Sequence, residues 1–122
     1  MPRVFVTIAN REERSALRLL LLDLDLLIVG EATDWPTTLT EAPAVRPDML
    51  LVDSNLLAVR SGPALDELRQ ACEGALIVVL ISHLDARQQA AVAAGADVVI
   101  YREEAPDRIA ERLRAAITGT YS

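Results

Sequence analysis

Two residues of opposite charge stand where chemistry in an α/β protein is usually done. Asp53 closes the apolar run Met49-Leu50-Leu51-Val52, and Arg102 closes Val98-Val99-Ile100-Tyr101. Such runs read as buried strands, and in open parallel sheets the ligand crevice lies outside the carboxyl ends of the strands. The first strand ends on Ile8-Ala9-Asn10 and the fourth on Ser82-His83. Asp53 is thus the one carboxylate that the strand ends themselves bring to the crevice, and Arg102 is placed to pair with it. Asn10, Asn55 and Ser82 are the other polar residues available to line it, with Ser82 the hydroxyl candidate. No GxGxxG or Walker loop follows the first strand, and there is no nucleophile elbow or triad. His83, the sole histidine, reads as a surface loop residue and not as a catalytic base.

The elements that must position these residues alternate five times. Val4–Ile8 is a β-branched first strand, followed by a helix over Glu12–Leu22 with Leu17, Leu20 and Leu21 on one stripe and Arg11, Arg14 and Arg18 on a solvated one. Leu26–Val29 is a second strand closed by Gly30. Pro36–Ala42 is at most a short helix, which Pro43 ends because proline lacks an amide hydrogen. After the strand Met49–Val52 come a helix over Pro63–Cys72, a strand over Leu76–Ile81 and an alanine-rich helix over Asp85–Ala94 that Gly95 caps. A fifth strand, Val98–Tyr101, leads to a last helix from Pro106 to Ile117. The strands are continuous apolar runs, as expected when both sheet faces are covered. That pattern predicts an α/β fold of three layers, a doubly wound parallel five-stranded sheet between helices, over residues 1–118, with 119–122 as a polar tail.

Composition narrows the function classes. The chain has 122 residues, 52% hydrophobic and only 3% aromatic, so one aliphatic core is expected. Its net charge is −6, which disfavours nucleic-acid binding by this domain alone, because phosphate contacts dominate that affinity. No apolar stretch is long enough to span a bilayer. A single cysteine, Cys72, and the lack of a signal peptide point to a reducing, cytoplasmic setting. Cys72 reads as a small packing residue. Asp23 and Asp25 lie at the other end of the sheet from Asp53 and read as a solvated turn; Trp35 reads equally as a partner anchor or a loop-packing residue.

In order and spacing, several segments resemble the receiver domain of two-component response regulators, closest to the class that includes NarL. Gly30-Glu31-Ala32 is similar to that family's end of strand two, and Arg46–Asp53 to its approach to the phosphoacceptor. Leu65–Arg69 falls in its third helix, Ala93-Ala94-Gly95-Ala96-Asp97 at its turn into strand five, and Pro106-Asp107 at the start of its last helix. The resemblance implies a flavodoxin-like sheet ordered 2-1-3-4-5 with Asp53 as the phosphoacceptor equivalent. It also shows departures. The acidic pair that holds Mg²⁺ in the family falls on Ile8 and Ala9, which offer no side-chain oxygen. The hydroxyl position falls on Ile81 or Leu80, so Ser82 serves only if the loop shifts. The switch aromatic falls on Val99, Leu56-Leu57 replaces the usual Met-Pro, and Arg102 replaces a lysine, keeping the charge without the compact ammonium head.

The resulting expectation is an atypical receiver, not an enzyme. It binds Mg²⁺ weakly or not at all, and no other cofactor or metal is expected. Asp53 pairs with Arg102, which keeps it ionised, in a partly exposed pair that adds little stability. Signalling then runs through protein contact with a sensor kinase or output domain, or through a homodimer, with two candidate surfaces. One is the first helix with the last; the other is the fourth helix, fifth strand and fifth helix. Two alternatives stand beside it: a conventional phosphorelay receiver phosphorylated on Asp53, and a small-ligand-binding flavodoxin-like domain.

Overall fold

The structure, a computed structural model, describes residues 1–57, 61–82 and 95–119. Five strands form one sheet: β1 (Arg3–Thr7), β2 (Leu27–Ala32), β3 (Met49–Asp53), β4 (Leu76–Ile81) and β5 (Val98–Tyr101). Their order is β2-β1-β3-β4-β5 and every pairing is parallel. Four helices are described: α1 (Arg11–Asp23), α2 (Trp35–Val45), α3 (Ser61–Ala71) and α4 (Pro106–Thr118). A 3₁₀ turn over Ser54–Leu56 follows β3. The helix expected over Asp85–Ala94 and the loop residue His83 lie outside the described residues, as do Thr120, Tyr121 and Ser122 of the tail.

Alternation along the strands divides the core in two. Val4, Val6, Met49, Leu51, Val78 and Leu80 meet Leu17 and Leu21 of α1 and Ile109 and Leu113 of α4. Phe5, Leu50, Val52, Ile77 and Val79 meet Ala42 of α2 and Leu65 and Leu68 of α3. Successive strand side chains point to opposite faces, so a sheet covered on both sides must be apolar at every position. Thr7 and Thr38 enter this core as a satisfied pair. The buried Thr7 and Thr38 hydroxyls share a 2.9 Å hydrogen bond, and that of Thr38 also donates to the Asp34 carbonyl.

Two elements depart from expectation. Strand two does not close at Gly30; β2 continues to Ala32, with a shift of register opposite Val4 and Phe5. Gly30 is needed within the strand because the Phe5 ring lies across it. A β-carbon there would stand 2.7 Å from Phe5 Cε2. Likewise, Pro43 does not end α2, which runs to Val45. Proline removes the hydrogen bond from its own nitrogen to the carbonyl four residues back, and near the helix end that costs one bond while the chain stays helical. The helix stops at Arg46, whose φ of 48° is left-handed. At its start the Asp34 carboxylate accepts from the Thr37 amide at 2.7 Å.

Candidate functional site

β3 lies at the centre of the sheet, with β1 and β4 on either side, so its last residue emerges in the middle of the carboxyl edge. Asp53 is that residue, and its side chain turns back under the 3₁₀ turn, where Oδ1 accepts from the Asn55 amide at 3.0 Å. Arg102 leaves β5 across β4, its amide bonded to the Ile81 carbonyl at 2.9 Å. Its Nη2 donates to Asp53 Oδ1 at 2.6 Å. Asp53 is only 3% exposed, whereas the sequence led us to expect a partly exposed pair. The central place of β3 and the turn that folds over its end account for the difference. Arg102 keeps about a fifth of its side chain in water.

The third member of the site escaped the sequence reading. Glu13, in the first turn of α1, meets the other nitrogen of the same guanidinium, with Arg102 Nη1 2.9 and 2.8 Å from its two carboxylate oxygens. An acidic side chain from the first turn of α1 therefore does reach the crevice. It gets there because Asn10 caps α1, its side chain accepting from the Glu13 amide at 2.8 Å, and so sets the helix's first turn over the strand ends. An asparagine three residues before a glutamate is the pattern of a capping box, in which the acid would fold back on its own helix. Here it points outward to Arg102. Partial burial lowers the pKa of the guanidinium, but the hydrogen bond and charge of Asp53, with those of Glu13, outweigh it, and the net shift is upward.

A second arginine closes the neighbouring wall. Arg14 Nη1 donates to the Ile8 carbonyl at 2.9 Å and lies 3.4 Å from that of Ala9. Its Nε is 3.5 Å from Glu31, which Arg18 Nη2 also grips at 2.7 Å. Of the stripe read as solvated, Arg18 does stand in water, 46% exposed, while Arg14 is part-buried, because α1 packs beside β2 and brings both to Glu31. Ile8 is fully buried in the core, and Ala9 is a methyl group at the surface. Ser82 leaves β4 one residue beyond Ile81, and its hydroxyl donates to Glu103 at 2.6 Å. Asp53 is paired in register with Leu80, so the β4 residue beside it is apolar. Trp35 packs against the core under α2, and Cys72 is buried at the end of α3, where burial pushes its thiol pKa up. Asp25, with a φ of 59°, turns the chain between α1 and β2 at the far end of the sheet from Asp53.

No family model matches the chain. It is 27% identical over 96 residues to the nitrate/nitrite response regulator protein NarL of Escherichia coli K12, a match that covers 78% of this chain and 44% of NarL. The chain thus spans less than half the length of that curated relative. Among solved structures, the isolated receiver domain of RcsB from Salmonella enterica serovar Typhimurium, with a beryllofluoride phosphomimetic, superposes with a TM-score of 0.83. The identity is 18%, and the match covers 97% of this chain and 89% of that one. The receiver domain of sensor histidine kinase PA1611 from Pseudomonas aeruginosa PAO1, which holds a magnesium ion in its active-site cleft, superposes with a TM-score of 0.78 at 17% identity. That match covers 97% of this chain and 98% of the PA1611 domain. The fold is that of response-regulator receivers. Among the described residues no helix is long and apolar enough to cross a membrane.

Proposed function

We propose, from the premise that the chain is a receiver domain of the two-component response regulators, that it signals by protein contact without Mg²⁺-dependent phosphorylation of Asp53. The observation that carries this is the Glu13–Arg102–Asp53 bridge. A divalent ion in such a crevice needs oxygen ligands and neutralises charge on the transferring phosphoryl group. Among the described residues, the carboxylates of Glu13 and Asp53 at that position share a guanidinium instead, at 2.6 to 2.9 Å. Ile8 and Ala9 supply no side-chain oxygen, and their carbonyls already face Arg14. This donor set does not fit magnesium. Asp53 is also nearly sealed from a phosphoryl donor.

The domain's partner is then another protein: a kinase, an output domain or a second copy. For a second copy we assign the outer side of α1. Leu19 and Leu22 there are 66% and 55% exposed, and Leu27 at the start of β2 is 45% exposed. Isolated exposed leucines are ordinary, but Leu19 and Leu22 stand three apart on one helix, the spacing that a helix-mediated contact presents.

One observation favours conventional phosphorylation instead. Both hydrogen bonds to Asp53 fall on Oδ1, which leaves Oδ2 without a partner among the described residues. Titration with Mg²⁺ and beryllofluoride, followed by amide NMR shifts, separates the two readings, with acetyl phosphate and mass spectrometry alongside. We expect no saturable shift and no phosphoryl adduct. An adduct that disappears in Asp53→Asn, or tight magnesium-dependent beryllofluoride binding, overturns the proposal.

A further inference from the structure

A groove of about 200 Å³ runs between α1 and α4, below the ion-paired crevice. Its walls are apolar: Ala16, Leu17 and Leu20 from α1, Pro106 and Ile109 from the start of α4. Its polar boundary is formed by Glu13, Arg102 and Glu104. Clefts that hold drug-sized ligands begin at roughly 300 Å³, so this one suits a single ring or a branched chain.

The polar boundary has an unusual property. Among the described residues, two buried side-chain polar atoms lack a hydrogen-bond partner, Arg102 Nε and Glu104 Oε1, and both residues line this groove. The Arg102 nitrogens Nη1 and Nη2 are engaged by Glu13 and Asp53, but its Nε–H is not. Arg112 Nε lies 3.0 Å from Glu104 Oε1, yet its N–H is directed to Oε2 at 3.2 Å, so Oε1 is ion-paired but accepts no aligned hydrogen bond. Nearly all buried polar groups in folded proteins are satisfied, so a donor and an acceptor left over around one cavity are a specific signal.

We infer that this groove is a binding site for a small neutral molecule with an apolar body and a carboxamide head. The carbonyl accepts from Arg102 Nε–H, the amide N–H donates to Glu104 Oε1, and the body lies between α1 and α4. A neutral head fits because the charges at this end are already matched, Arg102 by Glu13 and Asp53, and Glu104 by Arg112. The inference does not depend on whether Asp53 is phosphorylated. It names a second input to the fold, one that touches the same guanidinium from the opposite side.

The test is a titration of the chain with benzamide, and separately with ethylbenzene, followed by amide and arginine Nε–H NMR shifts. Benzamide is expected to give saturable shifts confined to Ala16–Leu20, Asp107–Ile109 and the Arg102 Nε–H. Ethylbenzene is expected to bind at least tenfold more weakly. Ala16→Phe, at an exposed helical position, should abolish the benzamide shifts while the rest of the spectrum stays folded. Glu104→Ala should weaken benzamide about tenfold. Absence of saturable shifts, equal binding of ethylbenzene, or unchanged binding in Ala16→Phe overturns the inference.

Discussion

One guanidinium holds two carboxylates on different elements, and that arrangement makes Arg102 hard to remove. With Arg102→Ala, Asp53 is left as a buried carboxylate without a counter-charge, and breaking a buried ion pair costs about 3–5 kcal/mol. The partial exposure of Arg102 puts the expected loss near the lower end, about 3 kcal/mol, read from urea denaturation. Asp53→Asn in the same background should recover part of it, because the uncompensated charge is gone. Removing Arg102 should also raise affinity for a divalent ion above that of the parent, since Glu13 and Asp53 then face an empty position. Magnesium-dependent stabilisation in Arg102→Ala, absent in Glu13→Gln/Arg102→Ala, is the measurement. Asp53 and Arg102 were legible because each closes an apolar run, and strand ends converge. Glu13 was not, since it sits in a helix, and helical periodicity reports which side faces the core but not what the first turn overhangs.

At the scale of elements, β2 and α2 carry the instructive mismatches. A glycine after a short apolar run reads as a stop, yet Gly30 is there because the ring of Phe5 occupies the space of a side chain. Gly30→Ala should destabilise the fold by about 1–3 kcal/mol, the usual cost of overpacking. Phe5→Leu should relieve part of that in the double variant, read from paired denaturation curves. Such contacts between strands far apart in sequence leave no trace in local pattern. The cap of α2 is local and makes a pH prediction. The Thr37 amide and hydroxyl hold the Asp34 carboxylate below its ordinary pKa. A carboxylate whose pKa is lowered by folding adds stability above its unfolded value, and that stability is lost as pH falls through the lowered one. The stability difference between the parent and Asp34→Ala should therefore be full at neutral pH and shrink in acid, in thermal melts across that range. A raised thiol gives the opposite slope. Burial keeps the Cys72 proton on in the folded chain, so the fold should lose that contribution as pH rises past the unfolded thiol's value.

Across the whole molecule, the layer order followed from the alternation of elements, because a parallel sheet needs helices over both faces, and the strand order 2-1-3-4-5 came from the family resemblance. What sequence could not rank were the surfaces. Leu19 and Leu22 have the residue type of a core yet stand in solvent. Replacing both by glutamate should leave the folded stability within about 0.5 kcal/mol, as surface changes do, while shifting any self-association toward monomer. Light scattering across a dilution series gives the answer, and a parent that is monomeric at every concentration removes the second copy as the partner. The bridge at the sheet's crest also has a consequence for control. A positive charge attached to the backbone has no free concentration, so chelators cannot strip it and scarcity of divalent ions cannot empty its place. Every copy leaves the ribosome with its counter-charge already installed. On the proposed reading, what remains adjustable is how many copies are made and what occupies the groove between α1 and α4.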